Sequence, residues 1–298
     1  MTSLNQLVKI IESAENIHIS LCDVSGITNN EIFSLPTEHL IHSMKFCDLA
    51  KATSKGFELC MRCKGACNKM SVRKKQPFAG CCSFGQYEIV YPVCAGENVI
   101  CIIYIGNLVR DMSESVNRLH AAVKKTGGSF DEMSQMLLNM HGTDGNIKYF
   151  ELAELISEYI LYHFDKIKKQ QGKQMNWSVK IAVEYAKKDF AMPITLKDIA
   201  KACFINEKYL GRIFIKETGQ TFREYLTQRR LERAQSLLEH TDEDIIKISL
   251  DCGFTSHSYF TNVFKKQFNM TPKEYRSKYS RISLLTHDFD SCSEKNAK

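Results

Sequence analysis

Residues 195–219 read TLKDIAKACFINEKYLGRIFIKETG, and this stretch decides the architecture of the C-terminal half. Thr195 is a predicted N-cap, and Ala200 is the small residue at which two helices cross. Asn206 is predicted to cap a second helix, which Gly219 ends in a left-handed position. A short helix, a tight turn and a capped second helix form the pattern of a helix-turn-helix unit.

The same pattern recurs at residues 244–268, which read DIIKISLDCGFTSHSYFTNVFKKQF. Here Ser249 is the small residue, Gly253 makes the turn and Ser256 caps the next helix. Between the two units, TFREYLTQRRLERAQSLLEH at 221–240 predicts one long, stiff helix. Such a rod would hold two recognition helices in successive major grooves of a duplex, about 34 Å apart.

The C-terminal half resembles the DNA-binding domain of the AraC/XylS family of bacterial transcription regulators. The resemblance covers about residues 175–280 and preserves the order of every segment. It implies sequence-specific binding to double-stranded DNA, a functional contact with RNA polymerase, and activation rather than repression. The matching segments are PITLKDIA at 193–200, YLGRIFIKETG at 209–219, RRLERAQSLL at 229–238 and CGFTSHSYFTNVFKKQFNMTPKEYR at 252–276.

The resemblance also assigns candidate DNA contacts to the outward faces of the two recognition helices. Gly211 has no side chain with which to contact a base, which leaves Arg212 as the predicted base reader of the first unit. Arg212 pairs best with guanine and Asn262 with adenine, each contributing about 1–3 kcal/mol of discrimination. A solvated surface position is the alternative for each residue. Four cations are better placed as phosphate contacts or solvated charges than as base readers: Arg229, Arg230, Lys265 and Lys266. The candidates are Lys208, Arg212, His257, Ser258, Thr261, Asn262 and Lys265.

Charge separates the chain into a neutral part and a basic part. Residues 1–172 contain 18 Lys and Arg against 18 Asp and Glu, whereas residues 173–298 contain 22 against 16 and hold the whole formal charge of +6. This division is typical of a chain in which one part meets a polyanion. No apolar run reaches the ~20 residues of a membrane span, and no signal peptide is evident. We therefore expect a cytoplasmic protein without a membrane partner.

The N-terminal half mixes helix and strand patterns. Residues 4–19 begin with apolar positions at helical spacing, and His18–Cys22 alternate like a strand. Residues 86–109 are rich in β-branched and aromatic side chains and predict an antiparallel strand pair. These features predict a compact α+β sensor domain. Residues 147–169 form a long apolar helical stripe, for which packing on the sensor sheet and homodimerisation as a signalling helix are both open.

Cysteines cluster in this half: nine of twelve fall in residues 1–101, and six lie between Cys47 and Cys82. A local cluster in a cytoplasmic chain indicates a metal or redox site rather than a disulfide framework. In CMRCKGAC at 60–67, the two-residue spacing predicts a tight chelating turn, which suits zinc or an iron–sulfur cluster. Redox chemistry and plain packing are the alternatives. The predicted metal ligands are Cys47, Cys60, Cys63, Cys67 and Cys82.

The cationic residues and the histidines of this half are not predicted to bind a metal. Three cations are predicted to offset the negative charge of thiolates: Arg62, Lys64 and Lys69. Three histidines are interpreted as surface or satisfied core groups rather than as metal ligands: His18, His39 and His42.

The N-terminal half also resembles the PocR-type sensory domain, a PAS-like fold found on several bacterial regulators. The resemblance covers about residues 5–165 and implies a domain that senses small organic metabolites such as diols. Cys63 and Cys81 are additional to the family pattern. The matching features are FC at 46–47, a cysteine at 60, CSFGQYEIVYPV at 82–93 and IGNL at 105–108.

Together these features predict a DNA-binding transcription regulator whose N-terminal sensor binds a small-molecule effector, with the cysteine cluster as the alternative signal receiver. No phosphate loop, zincin helix or nucleophile elbow indicates an enzyme. The predicted fold is an α+β, PAS-like sensor domain followed by an all-α domain with two helix-turn-helix units. The predicted segments are 1–145 (sensor), 146–174 (connecting helix and linker), 175–282 (DNA-binding domain) and 283–298 (flexible tail).

Overall fold

The computed structural model describes most of the chain. The polar linker predicted at 168–174 and the tail predicted at 283–298 fall outside the described residues. None of the helices that the structure describes is both long and apolar enough to cross a bilayer. The described ranges are 2–143, 147–167, 176–203 and 205–280.

The chain folds as two compact units, each built from two segments that are separated in the sequence. The first unit joins Met1–Tyr185 with Thr195–Gly219, and the second joins Ala186–Ile194 with Gln220–Lys298. The first predicted helix-turn-helix segment therefore clusters with the sensor segment. The sequence-based boundaries at 145, 174 and 282 stay a prediction.

A small sheet forms the centre of the first unit. Its strands run in the order β1-β4-β3-β2 with antiparallel neighbours, and β5 pairs in parallel with the end of β4. The predicted strand pair is confirmed as β3 and β4. β4 is buried over almost its whole length, as its continuous apolar run predicts. The strands are β1 (His18–Asp23), β2 (Phe78–Cys81), β3 (Tyr87–Ala95), β4 (Asn98–Val109) and β5 (His141–Gly142).

Eight α-helices lie in the described part of residues 1–188. The longest early helix begins after Thr53, whose side chain accepts a hydrogen bond from the Gly56 N–H, and ends at Lys75 in a left-handed conformation. The helices are α1 (Leu4–Glu15), α2 (Thr37–Leu40), α3 (Lys45–Ala50), α4 (Ser54–Lys74), α5 (Met112–Thr126), α6 (Phe130–Leu138), α7 (Ile147–Ile167) and α8 (Trp177–Lys188).

The connecting helix α7 packs back on the sensor sheet, against β3 and β4. Tyr149, Ala153 and Ile156 on its inner face are buried. On the outer face, Leu155 and Tyr162 are 61% and 63% exposed. The packing alternative for this stripe is therefore confirmed, and homodimerisation through the outer face stays a prediction.

The remaining described helices form two similar pairs and two further helices. The predicted caps are confirmed: the side chains of Thr195, Asn206 and Ser256 accept backbone hydrogen bonds at helix starts, and Gly219 ends α10 with a φ of 78°. The helices are α9 (Leu196–Ala202) and α10 (Glu207–Thr218) in the first unit, and α11 (Phe222–His240), α12 (Ile245–Asp251), α13 (His257–Phe268) and α14 (Pro272–Tyr279) in the second.

Gly253, between α12 and α13, is the turn residue that the sequence predicts. Its φ is +81°, and a Cβ atom there would lie 2.5 Å from the carbonyl oxygen of Ala191. Both the left-handed backbone and the close approach require glycine. The neighbouring core is built from apolar side chains of four helices, among them Leu231, Ile248, Phe260, Phe264 and Tyr275. The described fold is mostly helical, with one small sheet in the N-terminal half.

Candidate functional site

One face of α4 carries three of the predicted cysteines. Residues three and four apart share a face of a helix, so Cys60, Cys63, Lys64 and Cys67 point the same way. The tight chelating turn predicted from CMRCKGAC is wrong. The segment lies in a continuous helix, because its polar and apolar residues follow the helical repeat and Gly65 is tolerated within it.

All five predicted cysteines line one cavity, which we call the thiol-lined cavity. Its volume is about 30 Å³ when only the positions open to the centre of a water-sized sphere are counted, and about 470 Å³ when all the space between atoms and the open mouth are included. The structure therefore brings together cysteines from α3, from α4 and from the loop before β3. The other residues that line the cavity are His42, Phe46, Ala50, Lys64, Ser83, Phe84, Glu88 and Tyr104.

The sulfur atoms of this cavity do not form a ready-made metal site. In a tetrahedral zinc site each sulfur lies about 2.3 Å from the metal, so the sulfurs lie within about 4 Å of one another. Across the described ranges, the one group of three ligand-type side chains whose donor atoms lie within 4.8 Å of one another is Glu12, His18 and His39. Binding zinc or an iron–sulfur cluster would require the cysteine side chains to rotate toward a common centre.

The Glu12, His18 and His39 group is explained by hydrogen bonds. Nδ1 of His39 lies 2.6 Å from the carbonyl oxygen of Ile19 and therefore carries a proton that it donates. The same Glu12 oxygen accepts from the backbone N–H of Ile19 at 2.6 Å and lies 3.2 Å from Nδ1 of His18. The interpretation of His39 as a satisfied core group is confirmed, since the ring is buried with a partner.

Hydrogen bonds distinguish Cys63 from its neighbours. The thiol of Cys67 and both the hydroxyl and the backbone N–H of Ser83 hydrogen-bond to Cys63, and these bonds lower the pKa of Cys63 despite its burial. Burial raises the pKa of Cys60 to about 11 and also raises the pKa of Cys47. Cys63 therefore ionises more readily than Cys60 or Cys47.

Charges of both signs share the cavity wall. Of the three predicted cations, Lys64 is buried, whereas Arg62 and Lys69 are exposed. Burial acts to raise the pKa of Glu88, but the nearby His42 and Lys64 outweigh it, and the pKa of Glu88 is lowered. Oε1 of Glu88 lies 2.6 Å from Nε2 of His42, and burial lowers the pKa of that histidine. The wall thus holds an anionic Glu88 at neutral pH, and the amine of Lys64 lies on the same wall.

Asn68 joins the cavity wall to α9. It is fully buried on α4, one turn beyond Lys64. Its Oδ1 accepts a hydrogen bond from the hydroxyl of Tyr104, which lines the cavity. Its Nδ2 donates to the carbonyl oxygen of Ala202, the last residue of α9, at 3.0 Å. Neither Asn68 nor Tyr104 was among the residues predicted from the sequence. The signal for Asn68 was its position on the same helical face as Lys64.

The predicted DNA contacts lie on two helices of similar design. Arg212 of α10 and Asn262 of α13 each lie six residues after a helix N-cap, Asn206 or Ser256. The opposite face of each helix is buried. Gly211 is half-buried, and a Cβ atom there would lie 3.5 Å from Leu196 of α9. Six of the seven candidates are exposed and one is half-buried: Lys208, Arg212, His257, Ser258, Asn262 and Lys265, and then Thr261.

The interpretation of Arg230 as a phosphate contact or a solvated charge is wrong. Its Nε donates to the carbonyl oxygen of Phe190 at 2.7 Å, and its Nη2 donates to that of Met192 at 2.9 Å. The adjacent Arg229 instead forms a surface ion pair with Glu232 at 2.8 Å. Arg230 therefore fastens the segment before α9 to α11, a role that residue spacing alone does not reveal.

We expect Arg230→Met to lower the free energy of unfolding by about 2 kcal/mol, because hydrogen bonds to charged groups contribute about 1.5–3 kcal/mol. Arg229→Met, which removes a partly exposed ion pair and a cation–π contact with Tyr225 on the same helix, is the matched control, with an expected loss below about 1 kcal/mol. Urea denaturation of both variants, followed by circular dichroism, measures the difference. Equal losses would show that the two carbonyl contacts of Arg230 contribute no more than the ion pair of Arg229.

Two family models match the chain. A helix-turn-helix domain matches residues 199–278, and the sensory domain found in PocR matches residues 1–143. The regulatory protein SoxS of Salmonella typhimurium is 34% identical over 98 residues, which are 33% of this chain and 92% of SoxS. The transcriptional activator RhaR of Mannheimia succiniciproducens is 29% identical over 144 residues, 48% of this chain and 52% of RhaR.

A solved structure is similar to the C-terminal part. The C-terminal domain of AraT, a response regulator from Geobacillus stearothermophilus, is 30% identical with a TM-score of 0.35, covering 36% of this chain and 90% of that one. The chain spans between 34% and 52% of the length of four curated relatives, RhaR among them.

These findings define the class of the protein: it carries a helix-turn-helix domain together with a sensory domain, and its relatives are transcription regulators rather than enzymes. More narrowly, the chain belongs to the AraC family, and its N-terminal half is a sensory domain of the PocR type.

Proposed function

We propose that this protein is a cytoplasmic, sequence-specific activator of transcription that responds to a small metabolite in the thiol-lined cavity. In this proposal the N-terminal half is a PAS-like sensor. The pairs α9–α10 and α12–α13 are two helix-turn-helix units, and the protein forms a homodimer and contacts RNA polymerase.

The hydrogen-bonded chain from Tyr104 through Asn68 to Ala202 carries this proposal. A ligand shifts a conformational equilibrium only by its differential affinity for the two states. A ligand that moves Tyr104 or the nearby part of α4 changes the hydrogen bond that Asn68 gives to α9. Since α9 packs on α10, this bond links cavity occupancy to the helix that bears Arg212.

Exposure and chemistry support the assignment of the DNA-reading face. Arg212 is free of ion pairs among the described residues, and it lies on a solvent-facing side of α10. Arginine and asparagine form the bidentate pairs that distinguish guanine and adenine in the major groove. His257, Ser258 and Lys265 surround Asn262 on α13 and supply further contacts to bases and phosphates.

Selection of bound duplexes from a random DNA pool tests the proposed function directly. The full-length chain is incubated with the pool at moderate salt, with and without candidate metabolites that include diols. We expect an enriched motif with two blocks about 10–10.5 base pairs apart, as two reading helices on one face of the duplex require. A pool that shows no enrichment under any of these conditions would refute the regulator assignment.

A second candidate function is a metal or redox sensor in which the cysteines themselves receive the signal. The five cysteines that line the cavity support it. Cys60, Cys63 and Cys67 would supply thiolates to zinc or to an iron–sulfur cluster, or one of them would be oxidised. Protein purified without oxygen gives the decisive spectrum: a visible band indicates a cluster, and bound zinc without colour indicates a structural metal. Colourless, metal-free protein whose response is unchanged in Cys60→Ser, Cys63→Ser and Cys67→Ser would exclude this candidate.

A further inference from the structure

We propose that the thiol-lined cavity binds a small carboxylic acid with a hydrogen-bond donor on the neighbouring carbon, that is, a 2-hydroxy or 2-amino acid. Its carboxylate accepts hydrogen bonds from Lys64, and its hydroxyl or ammonium group donates to Glu88. This assignment rests on the proposed sensing function for its biological role. The binding itself is measurable without DNA.

The first observation is a buried ammonium group that lacks an acceptor. Lys64 is 9% exposed, and its Nζ makes no hydrogen bond to any residue in the described ranges. An ammonium group has three donors, and leaving them unpaired away from water is costly. The ring of Tyr104, 4.6 Å from Nζ, gives a cation–π contact. A carboxylate is the strongest acceptor that a ligand can bring to the same group.

The second observation is an opposite charge on the same wall. Glu88 is 7% exposed, and one of its oxygens contacts His42. Within the described part of the chain, Lys64 and Glu88 do not pair with each other. The cavity thus presents a donor group and an acceptor group that a single small molecule satisfies together, which is the arrangement that fixes a ligand's orientation in an otherwise apolar site.

The rest of the wall limits the ligand to a short apolar body. Phe46, Ala50 and Phe84 contribute ring and methyl surfaces, and protonated thiols pack as small apolar groups. A neutral diol offers Lys64 an uncharged acceptor, whereas a carboxylate adds the attraction between opposite charges to the same hydrogen bond. An amino alcohol can pair its ammonium group with Glu88, but it leaves Lys64 with an uncharged hydroxyl in place of a carboxylate. Charge complementarity therefore selects the acids over both alternatives.

Calorimetric titration of the full-length chain with four three-carbon compounds tests the proposal. The compounds are lactate, alanine, 1,2-propanediol and 1-amino-2-propanol, which share a skeleton and differ in charge. We expect lactate or alanine to bind more tightly than the diol and the amino alcohol, and the preference between the two acids identifies the donor. Diol binding equal to that of the better acid, or binding of neither acid at millimolar concentration, would overturn the assignment.

Two lysine variants locate the binding on the cavity wall. Lys64→Met removes the ammonium group, and we expect it to weaken acid binding by about 10-fold or more, the equivalent of one charged hydrogen bond. Lys69→Met, on the exposed face of the same helix, is the matched control and should bind as the unaltered chain does. If Lys64→Met does not fold, the comparison of the four compounds on the unaltered chain still decides whether the cavity prefers acids. If a DNA motif is selected but neither acid binds, the acid ligand is refuted and the proposed regulator function is not.

Discussion

Arg212→Ala is expected to weaken binding to the selected DNA site by about 5- to 150-fold, which corresponds to the 1–3 kcal/mol of one bidentate base contact. Binding to random duplex should change far less, because phosphate contacts supply nearly all of that affinity. The side chain is suited to this role because it is exposed on α10 and the half-buried Gly211 beside it offers no competing contact. Gel-shift titrations on both duplexes at one fixed salt concentration measure the two losses.

Lys216→Ala is the matched control for Arg212→Ala. Lys216 is an exposed cation in the last turn of the same helix, away from the first turns that enter a groove. We expect a small loss of similar size on the specific and random duplexes. If Arg212→Ala also weakened both duplexes equally, Arg212 would be a phosphate contact and the proposed readout would be wrong.

Local signals in the sequence were sufficient for the C-terminal helices. Caps act within three residues of one another, so Thr195, Asn206 and Ser256 mark helix starts without knowledge of the tertiary fold. The left-handed glycine at 219 has the same local character. Arg230 was misassigned because its partners are carbonyl groups about 40 residues earlier, which no local pattern reveals.

The cavity was only partly predictable. The cluster of cysteines predicted a site in this segment, because five cysteines so close in sequence are rarely unrelated core residues. The same spacing misled the prediction of its geometry, since residues three and four apart fit a helix face as well as a chelating turn. The polar groups of the wall were missed because Glu88 and Tyr104 lie on strands, and only the packing of α4 on the sheet brings them to Lys64.

Asn68→Leu is expected to remove the effector response while leaving effector binding intact. Allosteric effectors commonly change affinity by about 5- to 150-fold, and we expect this ratio for DNA binding to fall close to one in the variant. Leucine has a similar volume but cannot accept from Tyr104 or donate to Ala202. DNA affinity is measured with and without the effector that the random-pool selection identifies, and calorimetry measures effector binding separately.

Ser71→Ala controls for the general loss of a buried polar group from α4. Ser71 is fully buried, and its hydroxyl donates to the carbonyl oxygen of Cys67 within the same helix. Ser71 therefore has no hydrogen bond to α9 to lose, and the response of Ser71→Ala should match that of the unaltered protein.

Tyr104→Phe removes the hydrogen bond from Tyr104 to Asn68 and should reduce the response as Asn68→Leu does. Asn68→Leu has no side-chain amide to join Tyr104 to α9. A full response in this variant would therefore show that the signal reaches α10 by another route.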